Sequence, residues 1–170
     1  MSDTAVLVRV PEAEPVVREW RLRHTYDAPL GIPAHVTLLF PWVLVDELGD
    51  AAEQRLAEIL GKTEPFDVTF ARTARFPGVL YLEPQPSDPF SALTEAIAAE
   101  WPEHPPYEGE HETVIPHLTV AESDDDELLE RIRAEVEPQL PVKTRVTEAE
   151  LYEEDAAGRW HERSRVPLAS

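Results

Sequence analysis

The sequence predicts an α+β protein with a bilobal, pseudo-twofold duplication, in which two antiparallel sheets surround a central cleft and helices pack outside. Two observations predict this fold. Segments with the alternating pattern of strands are interspersed with segments of helical periodicity. In each half of the chain, a helix precedes a strand that carries a histidine, and a second helix and two strands follow. The 170 residues suffice for a single domain, residues 1–170, whose two lobes share a core.

The first half of the chain contains two helix starts among its strands. Glu14-Pro15 opens the first helix, because proline fits the first turn. Asp50 and Glu53 have the spacing of a capping box and begin the second helix, which stops at Gly61. The predicted strands cover residues 5–10, 35–42, 66–76 and 79–84, and a Pro-Gly turn joins the last two.

The second half repeats this order of elements. An amphipathic helix over residues 90–101 ends before Pro102, and a proline-rich loop follows. Ser123 and Asp126 again have capping-box spacing, and the helix that they begin continues to Pro138. The predicted strands cover residues 115–123, 143–152 and 159–166.

The formal net charge of −19 is the main compositional feature. Such a surface repels polyanions, so we expect no DNA partner and no binding to long RNA or anionic membranes. The chain has no cysteine, which excludes thiolate chemistry and suits a reducing cytoplasm. No apolar run reaches the roughly 18 residues of a membrane span, and the N-terminus lacks the basic region of a signal peptide. We expect a cytoplasmic protein, and a monomer.

Two short segments share one form: His, an apolar residue, Thr and a second apolar residue. One runs from His35 through Thr37, and the other from His117 through Thr119. Side chains at positions i and i+2 of a strand point to one face, so each His and Thr project together while their apolar neighbours pack behind. One such segment is a weak signal, but two at equivalent places in repeated halves are specific. A pseudo-twofold relation makes both pairs face one cleft.

These two pairs suit the cleavage of a phosphodiester. In-line displacement at phosphorus needs a base to activate water or a hydroxyl and an acid to protonate the leaving oxygen. Imidazole can do either, since its pKa is about 6.5, and we expect the acidic surroundings to favour its protonated form. Hydroxyl groups such as those of Thr37 and Thr119 can bind the non-bridging oxygens. This chemistry between His35 and His117 requires no metal and no cofactor.

The paired motifs resemble those of the two-histidine (2H) phosphoesterase superfamily, in particular its bacterial 2′-5′ RNA ligase-like branch. Residues 74–84 and 105–121 also resemble that branch. The resemblance spans nearly the whole chain and implies the bilobal fold and a small nucleotide or RNA-end phosphate substrate. It implies activity on 2′,3′-cyclic phosphates or 2′-5′ linkages, reversible RNA ligation included. It also implies that His35 and His117 are catalytic and that the motif threonines bind phosphate. We assign His35 as the acid and His117 as the base.

One departure from that family lies just after the second motif. Several relatives have an arginine where this chain has Ala121, Glu122 and Ser123. Together with the acidic surface, this argues against binding of polymeric RNA and against a ligase role. The alternative to an enzyme is a non-catalytic module that binds a phosphate-containing ligand or a partner protein, although such a module has no need for two acid–base groups.

Aromatic residues near the motifs are candidates for binding a base. We predict Tyr81 as a substrate-binding residue, and Phe76 and Tyr107 are further candidates, because a nucleobase stacks on an aromatic ring. The competing interpretation of each ring is packing in the core.

No metal site is predicted. His111 and His117, with Glu110 or Glu112 nearby, do not have a recognised ligand spacing. The chain also lacks a glycine-rich phosphate loop and a Gly-x-Ser-x-Gly elbow. Nucleoside triphosphate chemistry and acyl transfer are therefore disfavoured.

Overall fold

A computed structural model of the protein describes residues 2–109 and 114–170 and has two four-stranded antiparallel sheets. The strands are β1 (Thr4–Arg9), β2 (His35–Leu39), β3 (Phe66–Phe76), β4 (Val79–Gln85), β5 (Leu118–Glu122), β6 (Val142–Val146), β7 (Glu148–Glu154) and β8 (Trp160–Pro167). The α-helices are α1 (Glu14–His24), α2 (Asp50–Leu60), α3 (Asp88–Glu100) and α4 (Asp126–Val136). Within the described ranges, no helix is long and apolar enough to cross a membrane. The predicted α+β class is confirmed.

The two sheets have corresponding strand orders, β2-β1-β7-β8 in the first and β5-β4-β3-β6 in the second. In each sheet, the strand that follows or includes a motif histidine lies at the edge. The two halves of the chain exchange strands. The first sheet combines β1 and β2 with β7 and β8, and the second combines β3 and β4 with β5 and β6. Each sheet is therefore made from both halves of the sequence.

The single strand predicted over residues 143–152 is wrong, because the structure has two strands there. β6 ends at Val146 and pairs with β3 in the second sheet. β7 begins at Glu148 and pairs with β1 in the first sheet. Thr147, between them, is where the chain crosses from one sheet to the other. Strand-forming residues continue through the crossing, so the local pattern contains no sign of it.

Each motif strand is backed by a helix from the opposite half of the chain. α1 packs against β5, and α3 packs against β2. The Thr94 hydroxyl of α3 donates a hydrogen bond to the carbonyl of Leu38 in β2, at 2.7 Å. The Arg21 guanidinium of α1 donates to the carbonyl of Thr119 in β5, at 2.8 Å. Both edge strands are thus fixed by a side chain as well as by their sheet.

The apolar residues of the two motifs lie in the core, as the strand alternation predicts. Val36, Leu38, Leu118 and Val120 are at most 1 % exposed. Burial of each such side chain stabilises the fold by about 1.5–3 kcal/mol. Of the apolar residues that the helical periodicity places on one side of each helix, Val16 and Trp20 are half-buried, and the others are buried: Val17, Leu56, Ile59, Leu60, Leu93, Ile97, Leu129, Ile132 and Val136. This apolar backing holds the polar face of each motif in place.

Both predicted capping boxes are wrong. α2 is preceded by Gly49 as its N-cap, and the Glu53 carboxylate accepts hydrogen bonds from side chains of β8 instead of reaching back along its own helix. At α4 the N-cap is Asp125, whose carboxylate accepts a backbone N–H of the first turn at 3.2 Å. The Ser123 hydroxyl accepts the N–H of Asp125. Several acidic residues in succession offer alternative caps, and spacing alone does not choose among them.

Candidate active site

The two motif histidines make the same hydrogen bond. Nδ1 of His35 lies 2.7 Å from the carbonyl oxygen of Pro33, and Nδ1 of His117 lies 2.7 Å from that of Ile115. A carbonyl oxygen only accepts, so we assign the proton to Nδ1 in both rings. Nε2 is then the atom that takes up or releases a proton. His35 is the first residue of β2, whereas β5 begins one residue after His117.

His35 is nearly enclosed, with 8 % of its surface exposed. Burial lowers the pKa of His35 to about 4, because it disfavours the charged ring. The carboxylate of Asp27, whose Oδ2 lies 3.9 Å from Nε2, opposes this effect, and the positive charge of Arg21 adds to it. The expectation that the acidic surroundings favour a protonated imidazole is therefore wrong for His35. This ring is neutral at neutral pH.

The structure brings the two motifs to one site. β2 and β5 are in contact, and the charge of His117 contributes to lowering the pKa of His35. The phenol of Tyr107 is hydrogen-bonded to Thr37. Tyr107 also lines one cleft with His117 and Thr119. Both His-x-Thr pairs therefore border the same region of the protein.

The cleft beside His117 has a volume of about 700 Å³. Its described lining is mostly apolar and consists of Phe76, Pro77, Val79, Tyr107, Val114, Ile115, His117, Thr119 and Glu122. Among these residues Glu122 is the one carboxylate, and none is a lysine or an arginine. Walls of this kind suit a flat, uncharged group better than they suit a charged group such as a phosphate.

Two aromatic rings support the imidazole of His117. The ring of Phe76 lies 5.2 Å from it and that of Tyr81 lies 5.6 Å from it, both edge to face. Phe76 and Tyr81 are stacked on each other at 4.3 Å. Tyr81 is only 6 % exposed, whereas Phe76 lines the cleft. The structure thus places Tyr81, which the sequence predicted to bind substrate, behind the cleft wall.

Tyr107 reaches the site through an unusual backbone. It and Glu108 both have positive φ, at 51° and 56°, which costs about 1–3 kcal/mol per residue. The N–H of Tyr107 donates to the carbonyl of Phe40 at 2.7 Å, and its phenol meets Thr37. Burial raises the pKa of Tyr107, so the phenol keeps its proton. Tyr107 is thereby held against the first motif.

Arg21 is a residue of the site that the sequence analysis missed. It is 1 % exposed, and it donates hydrogen bonds to the carbonyls of Thr119 and Ile32 and to the carboxylate of Asp27. A signal was present, because Arg21 follows the buried Val17 by four residues and so lies on the inward face of α1. A charged residue on an inward face needs partners.

Within the described residues, no group of three or more histidine and carboxylate side chains is placed to hold a metal ion. The residues considered for a metal site from the sequence, Glu110, His111 and Glu112, lie outside the described residues.

Fold and site together define a class: an α+β protein with two antiparallel sheets, each of which has a His-x-Thr segment at an edge strand. The family model of the 2′-5′ RNA ligase superfamily matches residues 9–158. The chain belongs to this superfamily. No curated protein sequence matches it.

Several solved structures are similar to this fold along its whole length. Escherichia coli LigT complexed with 3′-AMP is 17 % identical, with a TM-score of 0.63 over 99 % of both chains. A structure described as a phosphoesterase is 19 % identical, with a TM-score of 0.60 over 100 % of both chains. TT0787 of Thermus thermophilus is 21 % identical, with a TM-score of 0.60 over 98 % of this chain and 97 % of the other. These likenesses establish the shared fold.

Proposed function

We propose that the protein hydrolyses 2′,3′-cyclic phosphates, or related cyclic phosphodiesters of nucleotides and RNA ends, by acid–base catalysis with His35 and His117. Membership in the 2′-5′ RNA ligase superfamily supports the coarser assignment, an enzyme of the phosphoesterase or ligase type. One observation carries the proposal: a backbone carbonyl holds Nδ1 of each histidine in the same way. Each ring therefore exchanges its proton at Nε2, and a module that only binds a ligand does not require two such acid–base groups.

In the proposed reaction His35 is the base and His117 is the acid. Neutral His35 accepts a proton from water at Nε2 while the water oxygen bonds to phosphorus. Protonated His117 donates a proton from Nε2 to the ribose oxygen as its bond to phosphorus breaks, and a nucleoside monophosphate is released. This reverses the assignment made from the sequence, because burial lowers the pKa of His35. A bound phosphate raises that pKa again and so makes His35 a stronger base in the complex.

The motif threonines are proposed to hold the phosphoryl group. Their side chains are half-buried beside the histidines, and a hydroxyl can donate to a non-bridging oxygen. Donors that are fixed before the reaction stabilise the charge that develops on those oxygens. The contact with Tyr107 orients the hydroxyl of Thr37 for this role.

The cleft supports a small substrate with one phosphodiester and a flat apolar group. Its volume of about 700 Å³ lies within the range of small-molecule sites, and Phe76 offers a ring on which a base can stack. Glu122 and the net charge of −19 oppose further phosphates. Escherichia coli LigT has been crystallised with 3′-AMP, which is consistent with a mononucleotide ligand here.

The second candidate function is a non-catalytic module that binds a phosphate-containing ligand or a partner protein. The acidic Glu122 after the second motif favours it, since no lysine or arginine is among the described lining residues to bind a phosphate. It predicts saturable binding of 2′,3′-cyclic AMP without turnover. That binding survives a conservative change such as His35→Gln.

The test is hydrolysis of 2′,3′-cyclic AMP in the presence of EDTA, followed by chromatography of the product. We expect conversion to 2′- or 3′-AMP, and a fall in kcat of about 10²–10⁴-fold in both His35→Ala and His117→Ala. His161→Ala is the matched control, because this exposed imidazole on β8 bonds only to Asp155 among the described contacts. A wild-type rate in His117→Ala, or a rate that EDTA abolishes, would contradict the proposal.

A further inference from the structure

We propose that the ion pair of the buried Arg21 and the half-buried Asp27 is a positioning pair that holds the two motif histidines in register. Neither residue belongs to a His-x-Thr segment, and neither has a role in the proposed reaction. The kinetic consequence rests on the proposed function, whereas the structural and electrostatic consequences do not.

A single guanidinium connects the backbones of the two motif segments. Nη1 of Arg21 donates to the carbonyl of Thr119, at 2.8 Å. Nη2 donates to the carbonyl of Ile32 at 3.1 Å and to that of Pro33 at 3.5 Å. The carbonyl of Pro33 is also the acceptor for Nδ1 of His35. A shift of one motif relative to the other therefore breaks a hydrogen bond to the same rigid group.

Asp27 joins this guanidinium to the Nε2 side of His35. Its Oδ1 accepts from Nη2 of Arg21 at 3.0 Å, and its Oδ2 lies 3.9 Å from Nε2 of His35. Burial is the main cause that lowers the pKa of His35, and the charges of Arg21 and His117 lower it further. The carboxylate of Asp27 and the carbonyl of Pro33 raise it. The two members of the pair thus act on His35 in opposite directions.

The burial of Arg21 favours positioning over stability as its role. A guanidinium that is 1 % exposed loses its hydration, at a penalty of several kcal/mol that only excellent geometry offsets. An apolar side chain at this point of α1 would pack without that penalty. Arginine has five donors in a planar fork, so it can bond the carbonyls of Thr119 in β5 and of Ile32 before β2 together with Asp27, which a lysine cannot do.

Substitutions at Arg21 separate geometry from charge. Arg21→Lys keeps the charge but cannot bond Thr119 and Ile32 together, and we expect kcat to fall about 100-fold with a smaller change in KM, the loss typical of a displacement of about 1 Å. In the same variant, exchange of the Nδ1 proton of His35 with solvent becomes faster, since its acceptor carbonyl is less firmly held. Arg18→Gln is the matched control, because Arg18 is exposed on the same helix.

Substitutions that change charge test the electrostatic part by NMR titration of the His35 ring. We expect the midpoint to move to lower pH in Asp27→Asn and to higher pH in Arg21→Gln. Shifts of opposite sign show that both charges act on the His35 ring, whereas kcat and proton exchange in Arg21→Lys test the positioning. Asp46→Asn, at an exposed carboxylate in another turn, is the control for loss of one negative charge.

Shifts of the same sign in Asp27→Asn and Arg21→Gln, or a wild-type kcat in Arg21→Lys, would overturn the positioning pair. If the Arg21 variants do not fold, Asp27→Asn decides, and an unchanged midpoint refutes the inference. If the wild-type protein binds 2′,3′-cyclic AMP without turnover, the proposed function fails. The titration and proton exchange of His35 still test the pair in that case.

Discussion

The two His-x-Thr segments share a hydrogen bond but differ in their surroundings. His35 is enclosed beside the buried Arg21 and the half-buried Asp27. His117 lines an open apolar cleft and packs edge to face against two aromatic rings, Phe76 and Tyr81. A carbonyl two residues before each histidine accepts from Nδ1, so both rings have the same tautomer in two unlike environments. The carbonyl determines which nitrogen exchanges a proton, and the surroundings of His35 lower its pKa.

The largest expected effect that sharpens this comparison is the pH dependence of stability at His35. Its pKa is about 4 in the folded protein and about 6.5 in the unfolded chain, so the unfolded chain binds more protons between these values. The contribution of neutral His35 to the free energy of unfolding is therefore complete above about pH 6.5. It falls by about 3 kcal/mol as the pH drops to 4. Urea unfolding at pH 7 and pH 4 measures this loss.

His35→Gln provides the reference for that measurement, because glutamine has no proton to gain. We expect the variant to lose about 3 kcal/mol less than the wild type between the two pH values. An identical loss in both proteins would mean that the His35 ring is solvated and that the two motif environments are more alike than its burial implies.

A second prediction concerns the cleft beside His117. Phe76→Ala removes the ring that lines the cleft, and we expect KM for 2′,3′-cyclic AMP to rise about tenfold, since stacking of a base contributes about 1–3 kcal/mol. The control is Leu22→Ala, which removes an apolar side chain that is 42 % exposed on α1. Equal KM values for Phe76→Ala and wild type would mean that the nucleobase of the substrate does not stack on Phe76.

The smallest expected effect concerns the hydrogen bond between Tyr107 and Thr37. Tyr107→Phe removes the hydroxyl that meets Thr37, and the loss of one hydrogen bond of about 1 kcal/mol predicts a roughly fivefold fall in kcat/KM. Tyr152→Phe is the matched control, because this buried tyrosine belongs to a separate cluster of the core. A larger loss in the control than in Tyr107→Phe would indicate a general effect on folding.

The sequence predicted the parts of the site that depend on strand alternation alone. Val36 and Leu38 are buried while Thr37 between them is half-buried, as a period of two requires. The same holds for Leu118 and Val120 around Thr119. Local patterns of this kind need no knowledge of the rest of the fold.

The features that sequence reasoning missed depend on distant contacts. Arg21 meets Thr119, which is 98 residues away along the chain, and no local pattern indicates that pairing. The crossing at Thr147 is likewise set by the different strands that Val146 and Glu148 find as partners. Burial of His35 also comes from the tertiary fold, so its low pKa could not be predicted from the acidic composition.

The exchange of strands between the halves bears on how this protein is made. On the ribosome, β1 and β2 emerge early, yet β7 and β8, which complete their sheet, are synthesised more than 100 residues later. Until then one side of β1 has no partner, and pairing over such a separation is slow because a long loop must close. The first sheet is therefore completed late, and a nascent chain that stops at α4 has both motif histidines but only half of the first sheet.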